Sequence, residues 1–137
     1  MDRTRTRART LAARILVPVA ALAVASFLGN SWPRTQTVHY VLGDAAGRVA
    51  ELDARWATDG DAAHDAWTRE ATFRYSAGQA PRVVTHEPRL ADGNYTVQID
   101  IRSEGGHGDT AGIATVTKHI SLGGGVTDIE LARSVPQ

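Results

Sequence analysis

The side chains best suited to bind a metal ion lie in a short acidic stretch between residues 59 and 65. It reads Asp-Gly-Asp-Ala-Ala-His-Asp, so three carboxylates and one imidazole stand close together around a glycine. Oxygen ligands at alternate positions around a glycine can wrap Ca²⁺, but an EF-hand loop needs more ligands and a terminal glutamate. Asp59, Asp61, His64 and Asp65 are therefore candidate metal ligands, and the alternative is a solvated loop whose aspartates cap a short helix.

Histidines and a glycine-rich loop supply the other candidate binding groups. The loop of residues 104–110 carries His107, and loops at the ends of a sandwich often bind partners. The five histidines are His39, His64, His86, His107 and His119. Those at 39, 86 and 119 fall on predicted strands, where cross-strand neighbours could form a site. The alternative is that they are surface side chains, since a metal-binding histidine also needs an orienting partner.

No recognisable catalytic motif is present. The sequence contains no Gly-x-Ser-x-Gly, His-Glu-x-x-His, phosphate-binding loop or dinucleotide fingerprint. It has no cysteine, which excludes disulfides, thiol catalysis and zinc–thiolate sites. We therefore predict a protein that is not an enzyme and that needs no cofactor; the alternative is an enzyme of unrecognised type, which would need a concave site with convergent titratable groups.

The charge is divided between the two ends of the chain. Residues 1–29 contain five arginines and one acidic residue, whereas the rest contains ten basic and fourteen acidic residues. The formal net charge of zero thus conceals a basic tail joined to a mildly acidic domain. An acidic domain without a basic stripe argues against nucleic acid as a partner.

The N-terminal segment has the character of a membrane anchor. After a basic tail of residues 1–10, which we place in the cytoplasm, Leu11–Gly29 is nearly uncharged and close to the length that crosses a bilayer. We predict a single-pass inner-membrane protein with its C-terminal domain outside the cytoplasm. The alternative is a signal peptide cleaved after Ala25, which would make the protein secreted or periplasmic. Residues 30–36 form a short predicted linker.

Residues 37–133 show the pattern of a mainly β domain. Seven predicted strands occupy 37–42, 48–58, 67–75, 82–87, 95–103, 115–122 and 126–132. The second also fits helical spacing, but alternation accounts for more of its positions. The number and spacing of the strands predict an antiparallel β-sandwich of the prealbumin or immunoglobulin type. Large aromatic side chains would fill much of its core, namely Trp56, Trp67, Phe73, Tyr75 and Tyr95.

The most regular strand lies in the stretch Leu90–Ser103. Tyr95, Val97, Ile99 and Ile101 alternate with polar residues, which indicates one buried and one solvated face. Asp-Gly at 92–93 provides the turn before it. Lys118 interrupts the apolar face of the strand at 115–122 and indicates a position near an edge or an end of a strand. Three glycines at 123–125 predict a hairpin to the last strand.

Three short motifs carry a family resemblance. They are Leu90-x-x-Gly93-x-Tyr95-x-Val97-x-Ile99, Ile120-x-Leu122-x-x-Gly125 and Thr127-x-Ile129-x-Leu131. In this order they resemble the second half of carboxypeptidase-regulatory-like domains, which are prealbumin-type sandwiches related in pattern to PEGA domains. The resemblance implies a non-catalytic structural or binding domain on the outer side of a membrane, with no catalytic residues to transfer.

Together these features predict a protein–protein interaction module in a bacterial-type envelope. It would bind another envelope protein through a sheet edge or through its end loops. The alternative is an exported domain that binds a ligand or metal ion through the 59–65 or 104–110 loop.

Overall fold

The computed structural model describes residues 18–29, 31–104 and 111–137. The chain divides into two units, Met1–Trp32 and Pro33–Gln137. In the first unit, residues 18–29 form a helix, α1, with exposed side chains. Within the described part of the chain, no helix is both long enough and apolar enough to cross a membrane. The basic tail and residues 11–17 of the predicted anchor lie outside that part.

The second unit is mainly β, as the alternation predicts. Its elements are β1 (Arg34–Thr35), β2 (Thr37–Val41), a 3-10 helix (Gly43–Arg48), β3 (Val49–Thr58), α2 (Asp59–Ala62), β4 (Arg69–Arg74), β5 (Val83–His86), β6 (Arg89–Leu90), β7 (Gly93–Ser103), β8 (Ile113–Leu122) and β9 (Val126–Glu130). The seven predicted strands correspond to β2, β3, β4, β5, β7, β8 and β9. The pair β1 and β6 was not predicted, because two residues are too few to show an alternation.

The strands form three sheets. A four-stranded sheet has the order β4-β3-β7-β8, a three-stranded sheet has the order β5-β2-β9, and β1 pairs with β6. One buried cluster draws side chains from both larger sheets, including Val38 and Ile129 from one and Leu52 and Ile99 from the other. The fold is therefore sandwich-like, with its apolar core between the two larger sheets.

The strand β7 lies inside the four-stranded sheet and has the face predicted for it. Tyr95, Val97, Ile99 and Ile101 are all buried in the core. Trp56 on β3 is also fully buried, whereas Trp67 is not part of the core cluster. The indole of Trp67 instead lies 5.3 Å from the guanidinium of Arg55, so the prediction that Trp67 helps to fill the core is wrong. Trp67 lies in the loop just before β4, and strand alternation does not predict which way a loop side chain points.

The predicted hairpin at 123–125 is also wrong. β8 pairs with β7 in one sheet, but β9 pairs with β2 in the other, and this second pairing is parallel. The sandwich prediction had assumed that all strands pair antiparallel. The parallel pairing of β2 with β9 shows that this part of the prediction is wrong. Gly124 has a positive φ of 81°, and its N–H donates to the Gln36 side chain at 2.9 Å. The glycines thus carry the chain from one sheet to the other.

Gln36 is the buried side chain that fixes this crossing. Its Nε2 donates to the Leu90 carbonyl at 3.1 Å and to Asp92 Oδ1 at 3.0 Å. Arg34 also donates to the Asp92 carboxylate. Hydrogen bonding from Gln36, reinforced by Arg34, lowers the pKa of Asp92. Residues of the predicted linker therefore lie within the second unit and hold the turn before β7.

Candidate functional site

The predicted metal-binding loop folds around a single helical turn. Thr58 is the N-cap of α2, and its hydroxyl accepts from the Asp61 N–H at 3.3 Å and donates to Asp61 Oδ2 at 2.7 Å. A threonine rather than an aspartate thus provides the cap. His64 and Asp65 follow as exposed residues, and Asp65 has a positive φ of 53°.

The four predicted ligands do not come together in this loop. Asp59 instead contacts β7 and β8, while Asp61 is engaged by Thr58. Across residues 18–29, 31–104 and 111–137, no three His, Cys, Asp or Glu side chains are grouped so that they could hold a metal ion. Metal binding by these residues stays a prediction, and residues 105–110 of the other candidate loop lie outside the described residues.

Asp59 belongs to a polar cluster at one end of the four-stranded sheet. Thr96 on β7 donates to Asp59 Oδ1 at 2.8 Å and lies 3.0 Å from Nδ1 of His119, its cross-strand neighbour on β8. Nδ1 of His119 is 3.4 Å from Asp59 Oδ1. Two positions along the strands, the cross-strand pair Asn94 and Ser121 is joined by a 2.5 Å hydrogen bond from the serine hydroxyl. The sequence did not predict this cluster, because strand order was needed to bring its residues together.

This cluster joins α2 to the four-stranded sheet. Among the described residues, the hydroxyl of its serine, Ser121, has no base beside it that could activate it as a nucleophile. A cleft of about 130 Å³ is lined by Asp59, Asn94, His119, Ile120 and Ser121. A catalytic serine requires a base beside its hydroxyl. The Ser121 hydroxyl donates to an amide oxygen, and His119 is positioned by Asp59 and Thr96.

The other two strand histidines have separate surroundings. Nδ1 of His39 lies 3.0 Å from Asp128 on the neighbouring β9. His86 contacts the Tyr40 hydroxyl at 3.0 Å, and that hydroxyl accepts from Trp56 Nε1 at 3.2 Å. Burial lowers the pKa of His86 and raises the pKa of Tyr40. These groups complete a hydrogen-bonded network in the core, and the three strand histidines do not share one site.

A shallow groove of about 360 Å³ crosses the outer face of the four-stranded sheet. Its carboxylates are those of Asp53, Glu70 and Asp100. Asp100 accepts from Arg55 at 2.8 Å and from Thr115 at 2.6 Å. One carboxylate is therefore neutralised within the sheet, and the groove is an open polar surface rather than an enclosed site.

The surface with the clearest capacity for binding is the outer edge of β8. This ten-residue strand ends the order β4-β3-β7-β8, and no described strand lies beyond it. Its position agrees with the edge or end location that Lys118 indicates. An edge strand presents unpaired N–H and C=O groups, to which another chain can add by backbone hydrogen bonding.

The hydrogen-bond pattern shows which β8 residues present these groups. The Ser103 N–H donates to the Gly112 carbonyl at 2.9 Å, and these two residues continue the register in which Arg102 faces Ile113. In an antiparallel pair, hydrogen-bonded and non-hydrogen-bonded residue pairs alternate. The even-numbered residues of β8 therefore bond to β7. The odd-numbered residues direct their backbone groups to the free edge, and they are Ile113, Thr115, Thr117, His119 and Ser121.

No family model, curated protein or solved structure matches this chain. The resemblance to carboxypeptidase-regulatory-like domains therefore stays a prediction. Among the strands of the described residues, β8 is the longest that lies at the edge of a sheet.

Proposed function

We propose that residues 33–137 form a non-enzymatic docking module that binds an extended segment of another envelope protein along β8. The observation that carries this proposal is the free edge, along which five alternate residues direct backbone N–H and C=O groups away from β7. Strand addition to such an edge obtains affinity from main-chain hydrogen bonds and specificity from alternate side chains.

The side chains on the outer face of β8 favour this mode of binding. Between Ile113 and Ser121, the odd-numbered positions carry no Lys, Arg, Asp or Glu, and they include two threonines. Charges at an edge oppose pairing with another chain, whereas threonine and isoleucine suit a strand. The β8 edge thus lacks, on its outer face, the charges that commonly prevent strand addition.

The proposed location rests on the N-terminal sequence. The arginine-rich tail and the apolar residues Leu11–Gly29 would anchor the chain in an inner membrane, with the module on the outer side. If the segment is instead a cleaved signal peptide, the same edge would serve a periplasmic or secreted module. The suggested prealbumin-type architecture agrees with such an accessory role.

Site-specific photo-crosslinking in the native cells tests this proposal. A photoreactive amino acid at Thr115 on β8 should form an adduct with a partner protein. The substitution Thr117→Pro should abolish this adduct, because proline removes an N–H from the free edge while leaving the β7 bonds intact.

The matched control is Thr72→Pro on β4, the opposite edge of the same sheet. It should leave the Thr115 adduct unchanged. An adduct that survives Thr117→Pro, or one that Thr72→Pro removes equally, would contradict docking along β8.

A further inference from the structure

Lys118 places a single charge in the middle of an apolar row. It shares the core-directed face of β8 with Val116 and Ile120, which are half-buried and pack against the core. Its cross-strand neighbour on β7, Val97, is fully buried. Lys118 itself is exposed, and among the described residues no carboxylate forms a salt bridge with it.

An added strand would set one of its own side chains directly beside this lysine. Because Lys118 bonds to β7, the free-edge hydrogen bonds come from Thr117 and His119 on either side of it. Beside an antiparallel partner, Lys118 then occupies a non-hydrogen-bonded pair, in which the two Cα atoms lie about 4.5 Å apart and side chains are closest. Opposite charges at such a pair stabilise the sheet, and like charges destabilise it.

We propose that the segment bound by β8 carries an aspartate or glutamate opposite Lys118. Apolar residues two positions before and after this acid would lie opposite Val116 and Ile120. The recognised pattern is thus apolar-x-acid-x-apolar in an extended strand. This inference rests on the proposed docking function and adds the chemistry by which the partner is selected.

A second copy that pairs through its own β8 does not meet the requirement. The β8 sequence from Ile113 to Leu122 contains no aspartate or glutamate, so a paired copy of β8 would offer Lys118 no counter-charge. Pairing with Lys118 opposite itself would place two ammonium groups together. Because pairing of two β8 edges fails in this way, we assign the edge to an acidic strand of a different protein.

Two synthetic peptides test the selectivity. Both are nine residues long with the sequence Thr-Thr-Val-Thr-X-Thr-Val-Thr-Thr and blocked ends, and X is glutamate in one and lysine in the other. Binding to the full chain in detergent is measured by fluorescence anisotropy. The glutamate peptide should bind about five- to thirtyfold more tightly than the lysine peptide, since one pairing is attractive and the other repulsive.

Charge reversal provides the decisive comparison. Lys118→Glu should invert the preference, and Lys118→Gln should remove most of it, while thermal unfolding verifies that both variants fold. Equal binding of the two peptides to the natural chain would overturn acid selection but leave strand addition intact. If Lys118→Glu still binds the glutamate peptide more tightly than the lysine peptide, acid selection by Lys118 is likewise overturned, and strand addition is left intact.

Amide hydrogen exchange separates this failure from failure of the docking proposal. Binding of the glutamate peptide should slow exchange at the odd-numbered β8 residues. If neither peptide binds and these amides stay unprotected, strand addition is itself contradicted, and acid selection with it. If the full chain sediments as a dimer that Thr117→Pro dissociates, the occupant is a second copy and acid selection is overturned.

Discussion

The two edges of the four-stranded sheet differ in length, charge and attachment. β4 has six residues, whereas β8 has ten. The Tyr75 N–H donates to the Ala50 carbonyl at 2.8 Å, which continues the β3–β4 register. By alternation, the residues that direct backbone groups away from β3 are Glu70, Thr72 and Arg74. Two of these three are charged, in contrast to the outer face of β8.

The β4 edge is also held by ion pairs. Arg74 donates to Glu51 on β3 at 2.7 Å, and Arg102 on β7 lies 3.1 Å from the same carboxylate. Charged residues of this kind protect an edge from pairing with other chains. On β8, the corresponding protection is reduced to the single charge of Lys118. The β4 edge is therefore protected by charged residues, whereas under the proposal above the β8 edge would bind a strand that places an acidic residue opposite Lys118.

A set of four proline substitutions is expected to give the largest effect. Lys118→Pro and Ala71→Pro each remove an N–H that bonds to the neighbouring strand, and each should lower the free energy of unfolding by about 1–3 kcal/mol. Thr117→Pro and Thr72→Pro remove N–H groups that face outward, and each should cost less than about 1 kcal/mol, because an edge strand tolerates an outward-facing proline. Urea unfolding followed by tryptophan fluorescence measures all four variants.

The neighbouring pairs of variants act as controls for one another. If Thr117→Pro costs as much as Lys118→Pro, the odd-numbered residues of β8 do not face a free edge. If the two prolines differ in stability cost on β4 but not on β8, then β4 has a free edge and β8 does not. This result would contradict the proposed docking along β8.

Removal of the lysine charge should open the β8 edge to self-association. Lys118→Val leaves a ten-residue strand rich in β-branched residues and free of formal charge apart from histidine, so copies can pair edge to edge. Sedimentation velocity over a range of concentrations should show a monomer for the natural chain and larger species for the variant. The control Thr72→Val on β4 should remain monomeric, because Glu70 and Arg74 still protect that edge. A monomeric Lys118→Val would show that other features block the β8 edge.

Much of the fold could be predicted from local pattern. The alternation of β3 and β7 identified both strands and the buried face of β7, because one face of each is set against the core. Lys118 indicated an edge or end position for the same reason, since an inward charge cannot be enclosed. The residue pattern of a single strand therefore predicts which of its faces is buried.

Pairing between distant strands could not be predicted in the same way. The parallel contact of β2 with β9 joins residues almost ninety positions apart, and three glycines fit a hairpin as well as a crossing. The Asp59–Thr96–His119 cluster likewise depends on strand order, which no local spacing encodes. The free edge of β8 follows from the order of strands in the sheet. In the sequence, only Lys118 indicated that this strand lies near an edge.

Acid should affect the two edges unequally, and this is the smallest of the expected effects. Hydrogen bonding from Arg74 lowers the pKa of Glu51 below its ordinary value of 4.5. A carboxylate with a lowered folded-state pKa stabilises the fold above its unfolded pKa, and this contribution is lost as the pH falls through the folded-state value. Below about pH 4.5, β4 amides should therefore lose protection from hydrogen exchange before β8 amides do, after correction for intrinsic exchange rates. Glu51→Gln should abolish the difference in pH response, and equal loss at both edges of the natural chain would show that β4 is not held by this ion pair.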